Sequence, residues 1–482
     1  MSIILMCTYT FLCIVNFVSY EFYDFGISHK MLMLMSETNP HETMDFFNTF
    51  LSKAADIFSV RLLLCIGIIW IVYIGIKRIS QKPFTTIVAA MSGIGLCFFV
   101  FFGMNAAYGK NNISIFIRTA KNIVEVYREN RQINSLMQMM HPYDNQGKVR
   151  SKRKAHNMIV IFGESADQSH LSLYGYPLPT TPSLDSMSDS LYVFSSVLAS
   201  SKFTSDNMER MLTTKKDSDR DGWWNYPMLI DILNAAGYRT SWLSNQERTG
   251  IWSNATAVIS SRADTAIYIG KTSSEDHLLQ KYDEKLIPEL EKALSATTQP
   301  KWIGMHLMGS HFAYRNRYPE DRQHFSPDDI RNVLPRKWMN KSKYATAADY
   351  DNSIRYTDSV IGKIFGIASH QESPTVVVYL SDHGENVFDD RDYNGRDTRH
   401  VEVPFVIYAN SAFRRNNPKV MEDIENSLNK KATSADLPNA IMSLTGTSAP
   451  EYDPTRDFLS PKYKTRVRYV DNEPWPYEIE SK

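Results

Sequence analysis

Hydrophobic and polar positions follow two regimes along this chain. In the first, residues 2–18, 57–76 and 84–103 are dominated by apolar side chains, the second run carrying a single charge, Arg61, and the third free of charge. A run of about 20 such residues matches the hydrocarbon thickness of a bilayer, so the pattern predicts a transmembrane region of about three helices within residues 1–107. The first run has no basic segment before it and no small-residue cleavage pattern after it, which predicts an anchor and not a removed leader. Apolar residues then recur at helical spacing at Ile113, Phe116, Ile117, Ala120, Val124 and Tyr127. Residues 108–154 are therefore read as an amphipathic linker on the membrane surface, ending in the basic stretch 148–154.

The second regime begins at His156. Short apolar runs at 158–162, 238–243, 302–308 and 375–380 have the composition of buried strands. Helical patterns separate them. Pro227 opens one that runs to Ala236, with Gly237 just past its end, and a longer one covers 346–367. Strands alternating with helices predict an α/β catalytic domain over 155–482, with a doubly wound, mainly parallel sheet. Ligands of such sheets bind beyond the carboxyl ends of the strands, so polar residues directly after a strand are the first candidates for chemistry.

Charge changes the picture in the loops more than in the total. Lysine and arginine number 53, as do aspartate and glutamate, and this balance gives no electrostatic footprint for nucleic acid. Lys77, Arg78 and Lys82 crowd the short connection between the second and third apolar runs, whereas Glu21, Asp24, Glu37, Glu42, Asp45 and Asp56 outnumber Lys30 and Lys53 in the first. By the positive-inside rule the basic loop is cytoplasmic and the large carboxyl-terminal part lies outside; Lys110, Arg118 and Lys121 argue mildly the other way. All four cysteines (Cys7, Cys13, Cys65, Cys97) precede the α/β region, which excludes a disulfide or thiolate metal site within it.

Two strand ends carry the chemistry. The run MIVIF ends in Gly163-Glu164-Ser165, and TVVVYL ends in Ser381-Asp382-His383-Gly384-Glu385. Each sets a carboxylate at the ligand-binding rim, the second with an imidazole beside it. Two carboxylates and a histidine form an oxygen/nitrogen ligand set suited to zinc or manganese. Such a site can activate a hydroxyl nucleophile by lowering its pKa. A strand-like segment, 192–198, runs into Ser200, Ser201, Thr204 and Ser205, and chemistry alone does not choose among them. Thr204 or Ser205 equally suits the N-cap of a helix over 206–212, and amides at a helix start attract phosphate. His311, after the strand WIGMHLM, and His400, before an apolar strand over 401–408, are candidates to contact phosphate or move protons. His306, inside its strand, reads as a core residue, and His170 and His324 as surface residues.

The segments IFGESADQSHLSLYGYPLPTTP, HLMGSHFAYRNRYP, YDNSIRYTDS and YLSDHGE, in this order, resemble blocks of the phosphoethanolamine transferases of the alkaline phosphatase/sulfatase superfamily. With their flanks they span residues 157–408. The resemblance implies Glu164, Asp382 and His383 as zinc ligands and Thr204 as the nucleophile and a fourth ligand, since SKFTSDNMERMLT follows the family's threonine before a short helix. It further implies substrate-contacting roles for His311 and His400. The implied reaction takes phosphoethanolamine from phosphatidylethanolamine, through a covalent threonine intermediate, to an envelope acceptor such as lipopolysaccharide. The implied location is the inner membrane, multi-pass, with a periplasmic catalytic domain. Members of that family carry more membrane helices than the three runs here, and residues 38–42 resemble the loop after the family's third helix, so the first helices are expected to be absent. Many members also staple this domain with disulfides, which the cysteine positions here do not allow.

Rival chemistries leave residues to look for. A formylglycine sulfatase needs Cys/Ser-x-Pro-x-Arg near the nucleophile segment, and none is found there. Gly163-Glu164-Ser165-Ala166 lacks the final glycine of a serine-hydrolase elbow. A glycerophosphotransferase differs only in its donor, and a catalytically silent envelope scaffold would hold no metal.

Overall fold

The computed structural model describes residues 123–124, 143–246, 255–269, 282–388 and 398–475. The three apolar runs and most of the linker lie outside these residues. Among the described residues no helix is long and apolar enough to cross a membrane. Residues 143–154, read above as the end of the linker, are tied into the α/β unit. Arg150 and Ser151 pair antiparallel with Ser448 and Thr447, and the Tyr143 hydroxyl donates to Glu451 at 2.5 Å.

A seven-stranded sheet organises the rest. Its strands are β1 (Asn157–Gly163), β2 (Leu191–Val193), β3 (Arg239–Ser244), β4 (Thr265–Tyr268), β5 (Lys301–His306), β6 (Thr375–Ser381) and β7 (Phe405–Ala409). Their order is β2-β7-β6-β1-β5-β3-β4. The run from β6 to β4 is parallel, while β7 pairs antiparallel with both β6 and β2. The sheet is thus mixed, with an antiparallel strand set between parallel neighbours.

Every residue of β1 and β6 is buried, which explains why both read as unbroken apolar runs with no alternation. Residues two apart share a face. Ile159, Ile161, Ile303, Met305, Val377 and Tyr379 pack with Leu290 and Leu294 of α3 (Ile287–Ser295) and with Val360, Ile361, Ile364 and Phe365 of α4 (Lys341–Ser369). Each such buried side chain contributes about 1.5–3 kcal/mol. On the other face the Trp242 ring stacks on Trp302 at 6.4 Å and meets Phe162 at 5.4 Å. Gly304 makes room for this, since a Cβ there would lie 2.6–2.8 Å from both indoles.

Several local expectations shift. The helix read from Pro227 is α2, Leu229–Ala235, and Gly237 follows it with φ +84°. The strand-like segment 192–198 divides: Phe194 turns out of the sheet to pack edge-on against Phe405 and Phe458, and Val197–Leu198 pairs instead with Ala432 and Thr433. Residues 401–404 precede β7 as loop, so the strand starts later than its apolar run.

Candidate metal and nucleophile site

Strand register builds the site. Gly163 pairs with Ser381 across β1 and β6, so the next residues, Glu164 and Asp382, leave the sheet side by side about 4.8 Å apart. Both are buried, at 1% and 0% exposure. Ligand atoms of Glu164, Asp382 and His383 all lie within 4.8 Å of one another. The Thr204 hydroxyl enters from α1 (Thr204–Leu212), lying 3.2 Å from Glu164 Oε2 and 3.3 Å from His383 Nε2. All four residues expected at the metal thus converge.

Thr204 is not the N-cap. Phe203 holds that position with no side-chain capping bond, and Thr204 is the first helical residue. Its hydroxyl is therefore directed at the carboxylate and imidazole, while the amides of the helix start supply a field suited to phosphate.

The remaining bonds fix each ligand's orientation. The His383 Nδ1–H donates to the Gly384 carbonyl at 2.8 Å, which leaves Nε2 as a lone-pair donor toward the site. Asp382 Oδ1 accepts from the amides of Ser165 and His383, whereas Oδ2 is buried with no hydrogen-bond partner among the described residues. Glu164 accepts from the Ser165 hydroxyl at 2.9 Å and from Gln246 Nε2 at 3.0 Å. Burial, and then the negative charge of Asp382, push the Glu164 carboxyl well above its ordinary range. Among the described residues no lysine or arginine forms an ion pair with either carboxylate. A buried carboxylate pair, one orphaned oxygen and an imidazole whose Nε2 faces them fit a divalent cation of zinc type.

Two neighbouring loops close on the site. The β5 end leads to Gly309 (φ +48°), where a Cβ would lie 2.8 Å from the Glu164 carbonyl oxygen; Ser310 N–H donates to that same carbonyl. Asp283 holds this loop by accepting from the amides of Met308 and Gly309. On the other side, Gly384 N–H donates to the His400 carbonyl, and a Cβ at Gly384 would lie 2.1 Å from the Arg399 carbonyl oxygen.

His311 and His400 sit beside this group and not within it. Burial, then the charges of Arg317 and His383, push the His311 ring down to about 4, and its Nδ1 is buried without a partner among the described residues. His400 Nε2 lies 3.2 Å from Glu385 Oε1. Burial draws the Glu385 carboxyl up, but the His400 bond and charge outweigh it and hold it below the ordinary value. His306 is a core residue, as expected, 5.6 Å from the Trp242 ring, and His324 is exposed. His170, expected at the surface, is buried at 2% exposure because Asp351 pairs with its Nδ1 at 2.7 Å.

Gln246 and Asp283 were not expected. Gln246 lies two residues past β3, so the strand-end rule that finds Glu164 also points to it; Asp283 has no comparable signal.

The sequence pattern of the sulfatase family matches residues 156–447. The chain belongs to the sulfatase family. It is similar to phosphoethanolamine transferase EptC of Escherichia coli O18:K1:H7 (strain RS218 / NMEC), with 27% identity over 95% of this chain and 82% of that protein. The crystal structure of the C-terminal periplasmic domain of Escherichia coli EptC in complex with zinc superposes with a TM-score of 0.61 at 25% identity, over 68% of this chain and 95% of that one. The integral membrane protein lipooligosaccharide phosphoethanolamine transferase A of Neisseria meningitidis shares the fold, with a TM-score of 0.63 at 19% identity over 94% of this chain and 86% of that one. These likenesses set the α/β unit in the sulfatase class.

Proposed function

We propose that this protein is a membrane-anchored phosphoethanolamine transferase that uses Thr204 as a covalent nucleophile. The observation that carries the reading is the Thr204 hydroxyl, at the start of α1 and 3.2–3.3 Å from Glu164 and His383. Glu164, Asp382, His383 and Thr204 would hold zinc, which when bound lowers the pKa of a hydroxyl and neutralises charge on phosphoryl oxygens. The relative solved with zinc supports that metal over manganese.

In the first step Thr204 Oγ1 bonds to the phosphorus of phosphatidylethanolamine as the bond to the glycerol oxygen breaks. Diacylglycerol leaves with a proton. In the second, an oxygen of an envelope acceptor such as lipopolysaccharide attacks the same phosphorus, and Thr204 regains its hydroxyl. His311 contacts the phosphoryl group from the β5 loop, and His400, steadied by Glu385, serves charge and proton balance at the acceptor. In this reading residues 1–107 anchor the chain in the inner membrane through about three helices, the linker ends before residue 143, and the α/β unit that residues 143–154 join works in the periplasm. The basic loop at Lys77, Arg78 and Lys82 supports that orientation.

The test is incubation of the full chain with labelled phosphatidylethanolamine. Wild-type protein should release diacylglycerol and Thr204→Ala should not; release that persists in Thr204→Ala would reject the covalent route.

A further inference from the structure

The backbone ahead of Thr204 is held by the carboxyl-terminal hairpin. Tyr469 pairs with Pro474 and Val470 with Glu473. Both turn residues, Asp471 (φ 52°) and Asn472 (φ 65°), are left-handed, as a type I′ turn requires and as Asp and Asn tolerate better than other side chains.

This turn docks on the nucleophile segment. Asp471 N–H donates to the Ser200 carbonyl at 2.9 Å. Asp471 Oδ1 accepts from the Ser201 hydroxyl at 2.6 Å, a closer partner than Asp206 at 3.1 Å. Asn472 Oδ1 accepts from Arg210, on α1, at 2.8 Å. Ser200 and Ser201 are fully buried, so water does not readily replace a bond lost there. Asn207 completes the frame by accepting from Ser201 N–H and donating to its carbonyl. The carboxylates Glu164 and Asp382 hang from β1 and β6 instead, so Thr204 is supported separately from the other three residues of the site.

We infer that the Asp471–Asn472 turn is a positioning clamp that keeps Thr204 Oγ1 within reach of Glu164 and His383. The inference rests on Thr204 being the nucleophile. Small displacements of a reacting atom cost large factors in rate, so loosening the clamp lowers turnover without emptying the metal site.

The test uses the full chain with labelled phosphatidylethanolamine and reads kcat, KM, bound zinc and melting temperature together. Asp471→Gly keeps the left-handed turn but removes the carboxylate, and Ser201→Ala removes the donor. Each should lower kcat by about tenfold to a hundredfold, with KM and bound zinc near wild type and a melting temperature only a few degrees lower. The double variant should be no slower than the slower single one. Asp471→Asn, which keeps both the turn preference and an acceptor oxygen, should recover most of the rate. Wild-type turnover in Asp471→Gly, or a fall in kcat matched by lost zinc or by unfolding at the assay temperature, would overturn the clamp. Thr204→Ala runs in parallel: if it still turns over, the nucleophile assignment fails and the clamp falls with it. If it is inactive while Asp471→Gly is fully active, the clamp alone is wrong.

Discussion

The Tyr350 hydroxyl, in the first half of α4, donates to the Ser165 carbonyl at 2.6 Å and accepts from the Asp167 amide at 2.9 Å. It thereby straps the turn just after Glu164, where Ser165 holds a strained φ of +56°. Tyr350→Phe removes both bonds and leaves two buried backbone groups short of a partner. The expected cost is about 1–3 kcal/mol of stability, read by urea unfolding, together with weaker zinc binding in a titration.

Gly309 meets Glu164 backbone to backbone. Gly309→Ala places a Cβ 2.8–2.9 Å from the Glu164 carbonyl oxygen and amide nitrogen at a residue with φ +48°. The strain is worth about 1–3 kcal/mol. It should push Glu164 away from His383, so the expected outcome is a folded domain by circular dichroism with little bound zinc.

The buried His170–Asp351 pair makes stability depend on pH. Burial disfavours the charged ring, but the Asp351 carboxylate wins, with Asp167 assisting and Arg399 opposing, so the His170 pKa is raised. Tyr176 also donates to Asp351, and the Tyr350 ring packs edge-on against the imidazole. A raised histidine contributes stability that is fully present below its unfolded pKa of about 6.5 and is lost as pH rises through the folded value. Asp351→Asn should therefore destabilise most near pH 6, with the gap to wild type narrowing at higher pH. A gap that stays constant with pH in denaturant melts would contradict this.

Metal removal should be reversible and specific. Chelation leaves the Glu164 and Asp382 carboxylates facing each other in a buried site, so activity should vanish, the melting temperature should fall, and added zinc should restore both. Glu164→Gln should show the low activity without the zinc-dependent rise in melting temperature.

Much of this site was legible because strands that read as apolar runs end in it. Glu164, Asp382 and His383 follow β1 and β6 directly, and register makes neighbours of residues more than two hundred positions apart. Thr204 was visible only through its resemblance to a family pattern, since four hydroxyl residues shared the segment and its approach to Glu164 and His383 is set by tertiary contacts. Tyr350 and Asp351 lay in a quoted block, yet helical spacing marks a helix without saying that its polar residues point inward. His170 looked exposed for the same reason: its partner is 181 residues away. The mixed order of the sheet was hidden because β7 is apolar enough to pass for a parallel strand.

The central claim is that phosphoethanolamine is carried on Thr204. The most direct measurement is peptide mapping by mass spectrometry after incubation with phosphatidylethanolamine and no acceptor. The account predicts a phosphoethanolamine mass on Thr204, absent from Thr204→Ala; the same mass on Ser200, Ser201 or Ser205 would contradict it.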